Sequence, residues 1–132
     1  MTSNNELFSL KDKTIMLTGS AGRLGTRFAH VLSGAGANLI LVDIDKTSNK
    51  KLERELILQY KTKPTAFCVD ISKQSEVKQL AKKIMSKYAK IDILINNAHF
   101  IPRTHPKRDA SFEDYPLDLW DKTTSVNLRA LF

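Results

Sequence analysis

Three glycines, Gly19, Gly22 and Gly25, recur at intervals of three in Thr18-Gly19-Ser20-Ala21-Gly22-Arg23-Leu24-Gly25, and Asp43 follows 24 residues after the first. The chemistry of this stretch is that of bare backbone. Gly19 lets the chain turn sharply. Gly22 leaves no side chain where backbone would approach a phosphate, and Gly25 permits close packing of whatever follows. The N–H groups that open a helix, with the positive end of its dipole, favour an anion. An acid about 20 residues further on is suited to accept hydrogen bonds from ribose hydroxyls. Pyrophosphate and ribose together describe a dinucleotide.

A glycine triplet is also an ordinary turn, so its flanks decide. Residues 14–17 form a short apolar run that reads as a strand. After the glycines, Leu24, Phe28, Val31, Leu32 and Ala35 recur at helical spacing and are expected to face a sheet. Gly34 and Gly36 are placed to end that helix. Residues 38–42, NLILV, are continuously apolar, as in a strand buried on both faces, and Asp43 closes them. Strand, glycine loop, helix, strand and acid is the order a dinucleotide site requires. The expected contacts here are Gly19, Ser20, Gly22, Arg23, Leu24, Gly25 and Asp43.

The rest of the chain continues the alternation. A polar tail of about ten residues precedes the first strand. A second helix is expected over 48–60, with Leu52, Leu56, Ile57 and Tyr60 inward. Pro64 punctuates, and residues 65–69 read as a third strand, with Cys68 a small core residue within it. Ser72 is placed to cap a third helix whose stripe is Val77, Leu80, Ala81, Ile84, Met85 and Tyr88. A fourth strand is expected over 91–95. A Pro-rich basic loop over 100–116 leads to a last helix from Leu117, which lacks an end signal at Phe132, so the chain reads as cut within it. Strands alternating with helices imply an α/β domain over 1–132, a parallel sheet covered on both faces.

Composition excludes several classes. The 132 residues are 42% hydrophobic and 27% charged, which suits one domain with a real core. No apolar run approaches a membrane span, and MTSNNELFSLKDKT lacks the apolar centre of a signal peptide. A single cysteine leaves no disulfide within the chain and points to the cytoplasm. The net charge of +7 arises in residues 46–90, which carry twelve basic and four acidic side chains. These are mostly lysines on helices with apolar stripes and without interleaved aromatics, so a solvated face, not a nucleic-acid surface, is expected. No metal site is expected.

Four segments in order, the loop of residues 18–25, Asp70-Ile71, Asn96-Asn97-Ala98 and Val126-Asn127-Leu128, make the chain resemble the short-chain dehydrogenase/reductase family from Leu10 onward. The resemblance implies a Rossmann-type sheet of order 3-2-1-4, truncated after four strands, with NAD across the switch between strands one and four. It implies that Asp70 and Ile71 border the adenine, that Ala98 borders the nicotinamide-side ribose with Asn97 also a cofactor-binding residue, and that Asn127 belongs to the catalytic tetrad as a proton-relay and water-holding residue. It also implies an alcohol, carbonyl or sugar substrate and a homo-oligomeric parent. Asp43 favours NAD over NADP.

The sequence departs from the family in three places. The loop spacing is TGxxGxxG, found in the branch of sugar-nucleotide epimerases and dehydratases, where the single-domain branch has TGxxxGxG. His99 stands where Asn-Asn-Ala-Gly has glycine, and bracing the loop is its expected role. The family's catalytic Tyr-x-x-x-Lys is absent: Tyr60, Tyr88 and Tyr115 are followed at four residues by Pro64, Asp92 and Leu119. The leading expectation is an NAD-dependent oxidoreductase whose catalytic Tyr, Lys and Ser are not in this chain, which alone is inactive. The alternatives are a sugar-nucleotide epimerase, dehydratase or sugar-modifying reductase, and a non-catalytic NAD-sensing module.

Overall fold

A computed structural model of the chain describes residues 8–132; most of the expected polar tail, residues 1–7, lies outside them. The elements are β1 (Thr14–Thr18), α1 (Arg23–Gly34), β2 (Asn38–Asp43), α2 (Lys46–Tyr60), β3 (Thr65–Cys68), α3 (Gln74–Lys87), β4 (Ile93–Ile95) and α4 (Leu117–Thr124). A π-helical turn, Ser125–Arg129, continues α4.

The four strands are parallel in the order β3-β2-β1-β4, as the family resemblance implies. Alternation along β1 and β2 divides the core. Ile15, Leu17, Leu39 and Leu41 face one way and meet Ala29, Leu52 and Leu56 of α1 and α2. Ile40 and Val42 face the other way and meet Leu80 and Ile84 of α3. β2 lies between two strands and is apolar from Leu39 to Val42, all fully buried. Among the described residues no helix is long and apolar enough to cross a membrane.

The inner face of α1 differs from the expected one. Gly25, Ala29 and Ser33 are buried at four-residue spacing, while Leu24, Phe28 and Val31 are exposed on the outer flank. The helix lies so close to the sheet and loop that only small residues fit beneath it. Leu32 still packs on the core as expected. The helix ends through Gly36 at φ +93°, with Gly36 N donating to Ser33 O and Ala37 N to Leu32 O, each at 3.0 Å. Paired bonds of this kind satisfy the last carbonyls.

Other expectations shift for local reasons. α2 begins at Lys46 because Asp45 caps it, accepting from Ser48 N at 3.0 Å. Ile57 and Met85 are exposed, so the buried stripes of α2 and α3 are narrower than their apolar residues suggest. Cys68 is exposed, not core: β3 is an edge strand, and the thiol's partner among the described residues is Ile44 O at 3.4 Å. Ser72 does not cap α3. Its hydroxyl donates to Asp70 Oδ1 at 2.6 Å, and Lys73 takes the cap position without a side-chain bond. The fourth strand is confined to three residues, and its Leu94 is half exposed. The last helix does not run regularly to Phe132. Its pitch widens at Ser125, where Ala130 N donates to Ser125 O at 3.0 Å.

Candidate nucleotide-binding site

Parallel strands put their C-terminal ends on one edge of the sheet, and most of the expected site residues lie there. Thr18 ends β1 and is almost wholly buried. Its hydroxyl accepts from Asn97 N and Ala98 N, both at 3.1 Å, and faces Ile95 O at 3.4 Å. Asn97 returns the contact, Nδ2 donating to Thr18 O and Gly19 O at 3.0 Å each. The ends of β1 and β4 are thereby stitched together across the switch point. Gly19 sits at φ +64°, and a Cβ there would lie 2.6 Å from Ala98 Cα. No other residue meets both the turn and this approach without strain.

Gly22 is the N-cap of α1, in extended backbone that any residue adopts, φ −71° and ψ 168°. It offers no side-chain cap, and the first turn of α1 contains no acid. The opening N–H groups of the helix are therefore free of a competing carboxylate and suited to an anion. Arg23 and Leu24 in that turn are exposed. Gly25 is packed against the loop itself: a Cβ would lie 2.0 Å from Gly19 O and 2.8 Å from Ser20 Cα.

Asp43, half-buried at the end of β2, holds this loop from the side. Oδ2 accepts from Ala21 N and Oδ1 from Asp45 N, both at 2.9 Å. A carboxylate oxygen has two acceptor directions, so each retains one. Ser20 behaves unlike the expected ligand-contacting residue. It is fully buried, and its hydroxyl donates to Asn49 Oδ1 at 2.8 Å. Its side chain points into the protein and anchors the loop.

Beyond β3, Asp70 accepts from the Ser72 amide at 3.0 Å as well as its hydroxyl, and its own amide donates to Glu76 Oε2 at 2.8 Å. Burial opposes ionisation of Asp70, but the Ser72 hydroxyl and amide, aided by Lys73 and Lys122, outweigh it and hold the carboxyl below its ordinary value. Ile71 is half-buried against the α3-side core. Asn127 lies in the π-helical turn, where its Oδ1 accepts from Phe100 N at 2.7 Å and its Nδ2 donates to Phe100 O at 2.9 Å. Its amide thereby grips the loop after β4 from both ends, with one acceptor direction of Oδ1 and one N–H of Nδ2 left over. His99, beside that loop, is exposed. Sequence reasoning missed Thr18 and Asn49; the second was signalled by its spacing, three residues before Leu52 and seven before Leu56 on the buried face of α2. A cleft of about 330 Å³ over the outer edge of β3, lined by Lys46, Cys68 and Lys83 among others, includes no glycine-loop residue.

A family model described as short chain dehydrogenase matches residues 13–132. The chain is similar to the short chain dehydrogenase/reductase dpfgG of Gibberella zeae, 42% identical over 125 residues that cover 95% of this chain and 44% of that protein. It is similar to the 2-dehydro-3-deoxy-D-gluconate 5-dehydrogenase of Bacillus subtilis, 35% identical over 128 residues, 97% of this chain and 47% of that one. Among solved structures it is similar to the 3-ketoacyl-(acyl-carrier-protein) reductase from Brucella melitensis complexed with NADH. That likeness has a TM-score of 0.79 at 27% identity, over 93% of this chain and 47% of that one. The chain spans a little under half the length of these three proteins.

Proposed function

The chain belongs to the short-chain dehydrogenase/reductase family, and from that premise we propose that it holds the NAD of an oxidoreductase acting on a hydroxyl or carbonyl carbon. The observation that carries the reading is the uncapped, acid-free start of α1 at Gly22, lying beside Asp43 and the stitched ends of β1 and β4. In this reading the amides of the first turn of α1 take the pyrophosphate, with Arg23 adding positive charge. Asp43 accepts the adenosine ribose hydroxyls with the acceptor directions its backbone bonds leave open, which favours NAD over NADP. Asp70 and Ile71 border the adenine, and Asn97 and Ala98 the second ribose. Nicotinamide, when bound, supplies the hydride chemistry.

Asn127 contributes by position: its grip on Phe100 fixes the loop after β4 where a substrate would approach. Proton handling is a different matter. No tyrosine of the sequence is followed at four residues by lysine, so we expect the 132-residue chain to bind NAD without turning it over. The intact activity then draws its Tyr, Lys and Ser from outside these residues. The substrate class is a small alcohol, carbonyl compound or sugar, supported by the sugar-acid dehydrogenase among the relatives. A cytoplasmic, homo-oligomeric parent completes the reading. The test is calorimetric titration with NAD, followed by an NAD-reduction assay against alcohols and sugars. Binding without turnover is expected. Absence of binding overturns the reading, and sustained turnover overturns the assignment of proton transfer to residues outside the chain.

A further inference from the structure

A serine hydroxyl directed into a core is costly unless it is bonded. Ser20 is fully buried beneath the glycine loop, and among the described residues its hydroxyl is bonded to Asn49, which is itself 1% exposed. Asn49 is fully engaged in turn. Its Nδ2 donates to Leu41 O of β2 and to Phe67 O of β3, each at 3.1 Å, and its Oδ1 accepts from Ser20 Oγ at 2.8 Å. The reverse amide orientation would set an oxygen against two carbonyl oxygens, so the donor–acceptor directions are fixed and Ser20 is the donor.

We propose that Asn49 is a positioning residue for the glycine loop, and through it for the phosphate donors of α1; the proposal rests on the dinucleotide reading above. Ser20 also donates its amide to Val42 O at 3.3 Å, so side chain and backbone tie it to β2 and α2. The first turn of α1 rests on the same peptide, with Gly25 packed so closely that a Cβ would come 2.0 Å from Gly19 O and 2.8 Å from Ser20 Cα. Movement of Ser20 therefore moves the first turn of α1, whose N–H groups are the anion donors. Asn49 lies on another helix, 29 residues away in sequence, and reaches the loop through Ser20. It links the edge strand β3 to the loop, so the site senses the packing of that edge.

The test separates positioning from simple core stability. Ser20→Ala leaves the two strand carbonyls satisfied and removes only the link to the loop; Asn49→Ala removes all three bonds. Hydrogen exchange of the amides Ala21 to Gly25 is measured in the ligand-free protein, alongside urea unfolding and NAD titration. The expected result for Ser20→Ala is faster exchange confined to the loop and NAD affinity lower by roughly three- to tenfold, the equivalent of one hydrogen bond. The double variant should bind NAD no more weakly than Asn49→Ala. Unchanged loop exchange in folded Ser20→Ala, or additive losses of affinity, would overturn the proposal and leave Asn49 as a core bond only. If the unaltered protein binds no NAD, the proposed function fails, and loop exchange alone then decides the role of Asn49.

Discussion

Replacing Gly25 by alanine adds one carbon at the point where helix and loop touch. That carbon would lie 2.0 Å from Gly19 O, 2.8 Å from Ser20 Cα and 2.9 Å from Gly19 C. Carbon atoms pack comfortably at about 3.5–4.0 Å, so the loop and helix have to part by about an ångström. All three obstructing atoms are backbone and cannot rotate aside. The loop is also held by Asn97 on Gly19 O, by Asn49 on Ser20 and by Asp43 on Ala21. Overpacking of this kind costs about 1–3 kcal/mol, and each loosened hydrogen bond adds about 1 kcal/mol. Alanine returns up to about 1 kcal/mol through its better helix propensity. The expected net loss is therefore about 2–4 kcal/mol, read from urea unfolding, with NAD affinity falling with it. Gly34→Ala is the control. Its Cβ would meet only the Tyr60 ring, at 3.4 Å, and stability should change by less than about 1 kcal/mol. If Gly25→Ala matches the control, α1 does not rest on the loop as described.

Asp43→Ala should weaken both dinucleotides, because Ala21 loses its acceptor, and should reduce an NAD preference on the order of a hundredfold to a few-fold. Parallel titrations check this, and equal or tighter NADP binding by the unaltered protein would show that Arg23 and Lys46 outweigh Asp43. Thr18→Val leaves Asn97 N and Ala98 N without their acceptor and should cost about 1–3 kcal/mol in urea unfolding; a change below about 0.5 kcal/mol would show that the stitch between β1 and β4 is dispensable. Asp92 is held below its ordinary value by Lys90 and by the Thr14 amide, with burial opposing. An acid depressed in the folded state stabilises above its unfolded pKa of about 4 and loses that contribution as pH falls through the folded value. Asp92→Asn should therefore make the acid-side decline of the urea midpoint shallower below about pH 4, and an unchanged slope would count against that linkage.

Much of the fold was legible because it depends on long-range pattern. The apolar run from Leu39 to Val42 marks a strand between two others, and the glycine spacing marks the turn at Gly19, now seen at positive φ. What escaped was set by distance between elements. Nothing in the period of α1 distinguishes Leu24, Phe28 and Val31 from Gly25, Ala29 and Ser33 as its inner face; the close approach of the helix selects the small set. Cys68 looked like core because strand composition does not reveal an edge. Ser72 looked like a cap because its competition for Asp70 is local geometry. In the candidate site, the glycines, Asp43 and Asn97, which the structure brings to one edge of the sheet, were legible as candidates from spacing and from family resemblance. Thr18, the inward turn of Ser20 and its bond to Asn49 were not, since a buried polar pair 29 residues apart has no sequence signature.

The central claim is that the bare start of α1 receives the pyrophosphate of NAD. Gly22→Val tests it most directly, because the backbone there, φ −71° and ψ 168°, accepts any residue and an added Cβ meets only Gly19 O, at 3.2 Å. The variant should fold with a small adjustment of the loop, confirmed by its urea unfolding. Calorimetric titration with NAD should then show one-to-one binding for the unaltered protein and none for folded Gly22→Val. Equal NAD affinity in the two would contradict the account.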